Sequence, residues 1–188
     1  HTTHHTTHNP TGAMLPEFGR AADGAELGVA ANHLGHFQLA RHLAPGLEAA
    51  AAAGRDARVV VVSSSLHRHA AKRLGSIGFE AASKELCDLE GDPETYYLFE
   101  NYAKTKLMNV LFAMAFAKRH PKLAVLSAHP GFVYTSVTRH LPRYVPLAHS
   151  LAVPFVLFFQ KLPGAGSNST VHALLEPLFC ARSIKGRS

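Results

Sequence analysis

The sequence contains no tryptophan and only two cysteines, Cys87 and Cys180, which lie far apart and form no C-x-x-C pair. A disulfide framework and a cysteine zinc site are thereby excluded, and a reducing, intracellular setting is expected. There is also no arginine-rich arm. Nineteen Lys and Arg against 13 Asp and Glu give a formal charge of +6, but the basic residues are scattered in short clusters such as Lys72–Arg73 and Lys118–Arg119. That scatter argues against a nucleic-acid partner, whereas a pI near 9.6 suits anionic small molecules or an acidic membrane surface. Nor can the apolar run 151–159 span a bilayer, because it has nine residues and contains Pro154. The opening HTTHHTTH has neither the charged start nor the apolar core expected of a signal peptide.

What is present is a chain of 188 residues, 47% hydrophobic and 17% charged, enough for one domain with a real core. Residues 1–8 read as a low-complexity tail. His1, His4, His5 and His8 carry metal-ligand chemistry, but the four interspersed threonines disfavour a helix that would organise them, so no metal site is expected. After the tail, residues 24–54 are helix-like, with an interruption expected at Pro45 and an end at Gly54. Residues 57–65, ARVVVVSSS, form a β-branched run too apolar to alternate, as in a strand buried on both faces of a parallel sheet. The polar stretch 66–95 reads as a long loop with at most one short helix. A helix over about 96–119 follows, and KLAVLSAHPG (122–131) is a second buried strand with its exit turn. Strand, helix, strand with a helix in front is a βαβ unit of a doubly wound α/β fold.

That order bears on chemistry, because in open parallel sheets ligands bind at the carboxyl ends of the strands. Here those ends carry Ser63, Ser64 and Ser65 and the turn His129–Gly131. On the intervening helix Tyr102 and Lys106 stand four residues apart, one helical turn on the same face. By itself such a pair reads equally well as part of a solvated face, and SSS as a polar turn. Together they converge on one crevice.

In this order and context NHLGHF (32–37), RVVVVSSS (58–65), YAKTKLMNVLF (102–112) and HPGFVYT (129–135) resemble the classical short-chain dehydrogenase/reductases, most of all the branch holding retinol dehydrogenases and WW-domain-containing oxidoreductases. The resemblance covers about residues 9 to 178, so 9–188 is read as a partial domain of that family. NPTG (9–12) stands where the family has an N-N-A-G turn, and Pro10 and Thr11 depart from it.

The resemblance implies NAD or NADP as cofactor and interconversion of a lipophilic alcohol with its aldehyde or ketone. Tyr102 matches the catalytic acid/base and Lys106 its partner. A phenol with a reference pKa of about 10 needs roughly 4 kcal/mol of preferential phenolate stabilisation to act near neutrality, and a nearby ammonium is expected to lower it. Lys106 would also reach the cofactor ribose. Ser64 matches the serine that bonds the substrate oxygen, with Ser63 and Ser65 as fallbacks. Asn32 matches the asparagine that holds a relay water, a buried Asn bridging a helix kink being the plainer account. Pro130, Gly131 and Val133 match the loop pressed on the nicotinamide, and Thr135 a hydrogen-bond donor to its carboxamide or phosphate. His129, His33 and His36 are expected to be local hydrogen-bonders. Residues 151–159 are read either as a lid over the substrate, the favoured account, or as a peripheral membrane contact. GAGSNS (164–169) lacks the third glycine of a dinucleotide loop and is read as a helix start. A homo-oligomer, and a cytoplasmic or membrane-peripheral location, fit the same resemblance.

The fold class implied is the C-terminal portion of a Rossmann-type sheet, with the first βαβ cofactor-binding units missing and expected upstream of His1. The chain has no strand followed by a glycine-rich turn and a helix that would receive the pyrophosphate. An alternative is a non-catalytic remnant or interaction module of the same fold. Residues 1–188 alone are therefore expected to bind NADH or NADPH weakly at most and to show no turnover. Calorimetric titration of a sample shown to be folded checks this, and micromolar affinity would contradict it.

Overall fold

The computed structural model describes residues 12–131 and 163–175, and the following account concerns these. The His/Thr tail, Val133, Thr135 and the apolar run 151–159 lie outside them. The order is a short helix α1 (Leu27–Val29), a π-helical turn (Ala30–Leu34), α2 (Gly35–Ala52), strand β1 (Arg58–Val62), α3 (His67–Ser76), α4 (Phe79–Cys87), α5 (Leu98–Arg119), strand β2 (Ala124–Ala128) and α6 (Pro163–Leu175). β1 and β2 pair in parallel, with Arg58 opposite Ala124 and Val62 opposite Ala128. Parallel neighbours need a long crossover, and α3, α4 and α5 supply it. The architecture is mixed α/β, part of a Rossmann-type fold.

Two apolar clusters hold α5 in place. Ala40 and Ala44 of α2 meet Phe116 of α5 together with Ala57 and Leu123 beside the strands. On another side Ala103 and Leu107 of α5 pack on Ala70 and Leu74 of α3, spaced four apart in each helix. Phe37 and Phe112 extend the first cluster, meeting edge to face with centroids 5.4 Å apart, and Phe112 lies tilted against Phe116 at 5.2 Å.

Three expectations need correction. α2 continues unbroken through Pro45. Proline removes the donor to the Arg41 carbonyl, but both residues are exposed, so that carbonyl is open to solvent. The irregularity falls instead at Ala30–Leu34, where no proline marks it. Residues 66–95 hold two helices rather than one; in α3 the inward Ala70 and Leu74 are hidden among His67, Arg68, His69, Lys72 and Arg73. α4 buries none of its residues and is tied by the Arg73–Glu85 ion pair and by Ala82 and Leu86. Finally, β1 is not buried on both faces: only Val61 is fully buried, and its valine neighbours are half-buried. Among the described residues each strand has a single partner, and so one edge stays open.

α2 ends near the glycine expected to stop it, with Gly54 at φ +73°, and residues 164–169 do lie in the first turns of α6. Among the described residues no helix is long and apolar enough to cross a membrane. Phe116 is 4% exposed at the centre of the first cluster. Phe116→Ala should cost about 3–5 kcal/mol through lost burial and a residual cavity, read from urea denaturation. A cost below about 1 kcal/mol would mean that the cluster does not hold α5.

Candidate active site

Tyr102 and Lys106 rise from the second and third turns of α5. The Lys106 ammonium lies 5.3 Å from the centroid of the Tyr102 ring. Lys106 is 2% exposed and accepts no solvation to speak of. No carboxylate, carbonyl or hydroxyl among the described residues accepts a hydrogen bond from its ammonium. Burial therefore lowers its pKa to about 8. Beside it stands Gly12. A Cβ placed there would come within 2.9 Å of Lys106 Nζ, so a side chain at this position would crowd the ammonium, whereas the Tyr102 hydroxyl at 3.9 Å would meet only ordinary contact.

β1 delivers the serines, with a division of labour that their repetition in sequence conceals. Ser63 is buried and its Oγ donates to the main-chain carbonyl of Lys106 at 2.8 Å, fastening the lysine's own turn to the strand end. Ser64 faces Tyr102, close enough for its hydroxyl to lower the tyrosine pKa through a hydrogen bond. That influence is the smaller one. Burial dominates and pushes the phenol above its ordinary value, contrary to the lowering expected from an ammonium neighbour. The main-chain N–H of Ser65 donates to His129 Nδ1 at 3.2 Å, joining the two strand ends. Pro130 and Gly131 follow at the end of β2, where the φ of +86° at Gly131 suits glycine.

Asn32 occupies the middle of the π-helical turn and is 1% exposed. Its Oδ1 accepts from the Ala13 N–H at 2.7 Å, and Nδ2 donates to the Ala13 carbonyl at 2.9 Å and to Thr105 Oγ1 at 3.3 Å. The segment bearing Gly12 is thus clamped to α5 beside Lys106. Below this, Glu26 caps α1 through the N–H groups of Gly28 and Val29, both at 2.7 Å, and accepts from Asn101 Nδ2 at 2.8 Å. Asn101 immediately precedes Tyr102. His36 bonds the Asn32 carbonyl at 3.1 Å, and burial first, then the Lys106 charge, keeps its pKa below the ordinary value despite that bond.

Ser64, Tyr102, Lys106 and Asn32 are therefore brought to one place, with Pro130 and Gly131 at the adjoining strand end. Sequence reasoning passed over Gly12 as an active element, and it missed Ser63 as a fastener and Asn109, Glu26 and Asn101 altogether. A signal existed for Asn109, which is the one amide in the otherwise apolar stretch LMNVLFAMAF and follows Lys106 by three residues.

A parallel α/β crossover that sets a serine, a tyrosine and a lysine at its strand ends defines the short-chain dehydrogenase/reductase class of fold and site. The chain is 36% identical over 182 residues to retinol dehydrogenase 12 of Bos taurus, covering 93% of this chain and 50% of that protein. It is 34% identical over 177 residues to polyprenol dehydrogenase of Mus musculus, with 92% and 48% covered, and 32% identical over 175 residues to retinol dehydrogenase 11 of Homo sapiens, with 91% and 48% covered. No family model matches it. The chain spans about half the length of the curated relatives it matches. It belongs to the short-chain dehydrogenase/reductase family, with retinol dehydrogenase-like relatives.

The burial of Lys106 has a consequence for stability. With a folded pKa of about 8 against an ordinary 10.5, the cost of burying the charge is fully present below pH 8. Between about 8 and 10.5 the unfolded chain keeps the proton and the folded chain does not, so this contribution makes the fold more stable as pH rises. Lys106→Met should therefore stabilise the fold at pH 7 by up to about 3 kcal/mol, with the gain shrinking toward pH 10. Paired urea melts at several pH values check the sign; a Met variant less stable than the parent at pH 7 would contradict it.

Proposed function

We propose that this chain carries the catalytic part of an NAD(P)-dependent oxidoreductase that interconverts a lipophilic alcohol and its aldehyde or ketone. The observation that supports this most is the buried Lys106 ammonium beside the Tyr102 phenol, with the Ser64 hydroxyl in hydrogen-bonding reach of that phenol. A bound nicotinamide cofactor would supply or accept the hydride. The donor set suits such a group: an ammonium with unused hydrogens faces space that Gly12 keeps clear, as a ribose diol requires.

In the direction of reduction Tyr102, kept protonated by burial, donates its hydroxyl proton to the carbonyl oxygen, and the Lys106 charge stabilises the phenolate left behind. Ser64 donates a hydrogen bond to the same oxygen as its negative charge grows. Oxidation runs the proton back to Tyr102. Lys106 would hold the ribose hydroxyls. Pro130 and Gly131, with Val133 and Thr135 from the following segment, would bear on the nicotinamide, and Asn32 would support the relay that reprotonates the lysine. The substrate class rests on the relatives, whose names specify retinol and polyprenol, both long apolar alcohols, and on the apolar run 151–159 as a covering element.

A non-catalytic module of the same fold is the second reading: a phenol pushed above its ordinary value is poorly placed to take a proton from an alcohol, although it suits donating one. One experiment separates the two. In a catalytically competent form of the protein, Tyr102→Phe keeps the ring and removes the proton, and turnover of a long-chain alcohol should fall by about two to four decades with the melting curve little changed. Near-normal turnover would remove Tyr102 from the chemistry.

A further inference from the structure

Asn109 lies on α5 three residues beyond Lys106, 1% exposed. Its amide is fully used. Nδ2 donates to the main-chain carbonyl of Asn32 at 3.1 Å and to that of Val62 at 3.2 Å, and Oδ1 stands 2.9 Å from His33 Nδ1. Turning the amide over would aim its oxygen at two carbonyl oxygens, so its orientation is fixed by its neighbours. Oδ1 can then only accept, and His33 must carry a proton on Nδ1.

We propose that Asn109 is a positioning residue for the Ser64–Tyr102–Lys106 site, joining the π-helical turn, the end of β1 and His33 to the turn of α5 that follows Lys106. Val62 immediately precedes Ser63 and Ser64. The Ser63 bond to the Lys106 carbonyl and the Asn109 bond to the Val62 carbonyl are thus two ties between the same strand end and the same helical turn. Added to the apolar clusters that hold α5, the two ties fix the register of this helical turn against the strand end. The bond to the Asn32 carbonyl adds the π-helical turn to this clamp, whose side chain holds Ala13 next to Gly12. A leucine of similar volume would fill the space and make none of these bonds. The catalytic meaning of this clamp rests on the proposed function, whereas the bonds themselves do not.

The test uses the 188-residue chain with 15N-labelled histidine and 13C-labelled lysine, followed by NMR. In the unsubstituted chain neutral His33 should show the Nδ1–H tautomer and Lys106 should titrate near 8. In Asn109→Leu, with circular dichroism unchanged, His33 should lose its fixed tautomer and the Lys106 midpoint should move by at least about half a unit toward its ordinary value as the site opens to water. Leu123→Ala, which weakens the core away from the site, should leave both signals in place. An Nε2–H tautomer in the unsubstituted chain would overturn the proposal whether or not the leucine variant folds. So would a folded Asn109→Leu with both signals unchanged. Neither outcome depends on turnover, so a failure here is separable from a failure of the Tyr102→Phe test.

Discussion

Everything around this site is arranged to keep one ammonium out of water. An isolated charge in a dry interior is expensive, and proteins normally pair it with a carboxylate. Lys106 has no such partner among the described residues, and what surrounds it is instead a set of groups spent on one another. Ser63 takes the lysine's carbonyl, Thr105 bonds Tyr102's carbonyl at 2.8 Å and receives Asn32, and Asn32 grips Ala13 at both ends of its amide. The charge is left over by design of the hydrogen-bond inventory, since the polar groups near it are already satisfied. A group held in that condition favours any ligand that brings acceptor oxygens.

The electrostatics of the pair follow from the same burial. Removal from water disfavours the charged form of each group, which moves a phenol up and an ammonium down, so the two ordinary pKa values separate further. At neutral pH the stable arrangement is a neutral phenol beside a charged lysine. That is the protonation state a carbonyl reduction starts from. The opposite direction asks for a phenolate, and the protein's own groups give it only a hydrogen bond from Ser64 and the nearby ammonium. Under the proposed function, that starting state suits proton donation by Tyr102.

The helix carrying Tyr102 and Lys106 was legible in sequence because both signals are local: four-residue spacing on one side, and an apolar periodicity broad enough to pack on two neighbours. The strands were legible from four consecutive valines and from KLAVL. What stayed hidden depends on contacts between distant segments. Ser63, Ser64 and Ser65 are chemically identical in sequence, and only the strand's pleat and the position of α5 assign one to the lysine carbonyl, one to the tyrosine and one to His129. The π-helical turn has no composition of its own; its extra residue matters because it aims Asn32 at Ala13. α3 escaped notice because two inward residues, Ala70 and Leu74, suffice once α5 offers Ala103 and Leu107, and two residues among five basic ones are too few for periodicity to show. Pro45 misled for the opposite reason, since a strong local rule was cancelled by solvent reaching the carbonyl that it orphaned.

The sheet and the site place different demands on the rest of the fold. Four valines in β1 are a composition suited to burial on both faces, yet here most of them are half-buried, with one partner strand at 124–128. The site residues do not share that incompleteness. Asn32, Ser63, Lys106 and Asn109 are each 4% exposed or less, and the bonds that fix them come from the Gly12–Ala13 turn, the π-helical turn, the end of β1, α5 and, through the Ser63 N–H to the Ala128 carbonyl at 2.8 Å, the end of β2. Side-chain amides and hydroxyls clasping main-chain carbonyls give short, directional ties, which hold geometry without needing area. Apolar strand faces need area. Among the described residues, the geometry of the Ser64–Tyr102–Lys106 cluster is thus set by hydrogen bonds within it, whereas the strands depend on the area they bury.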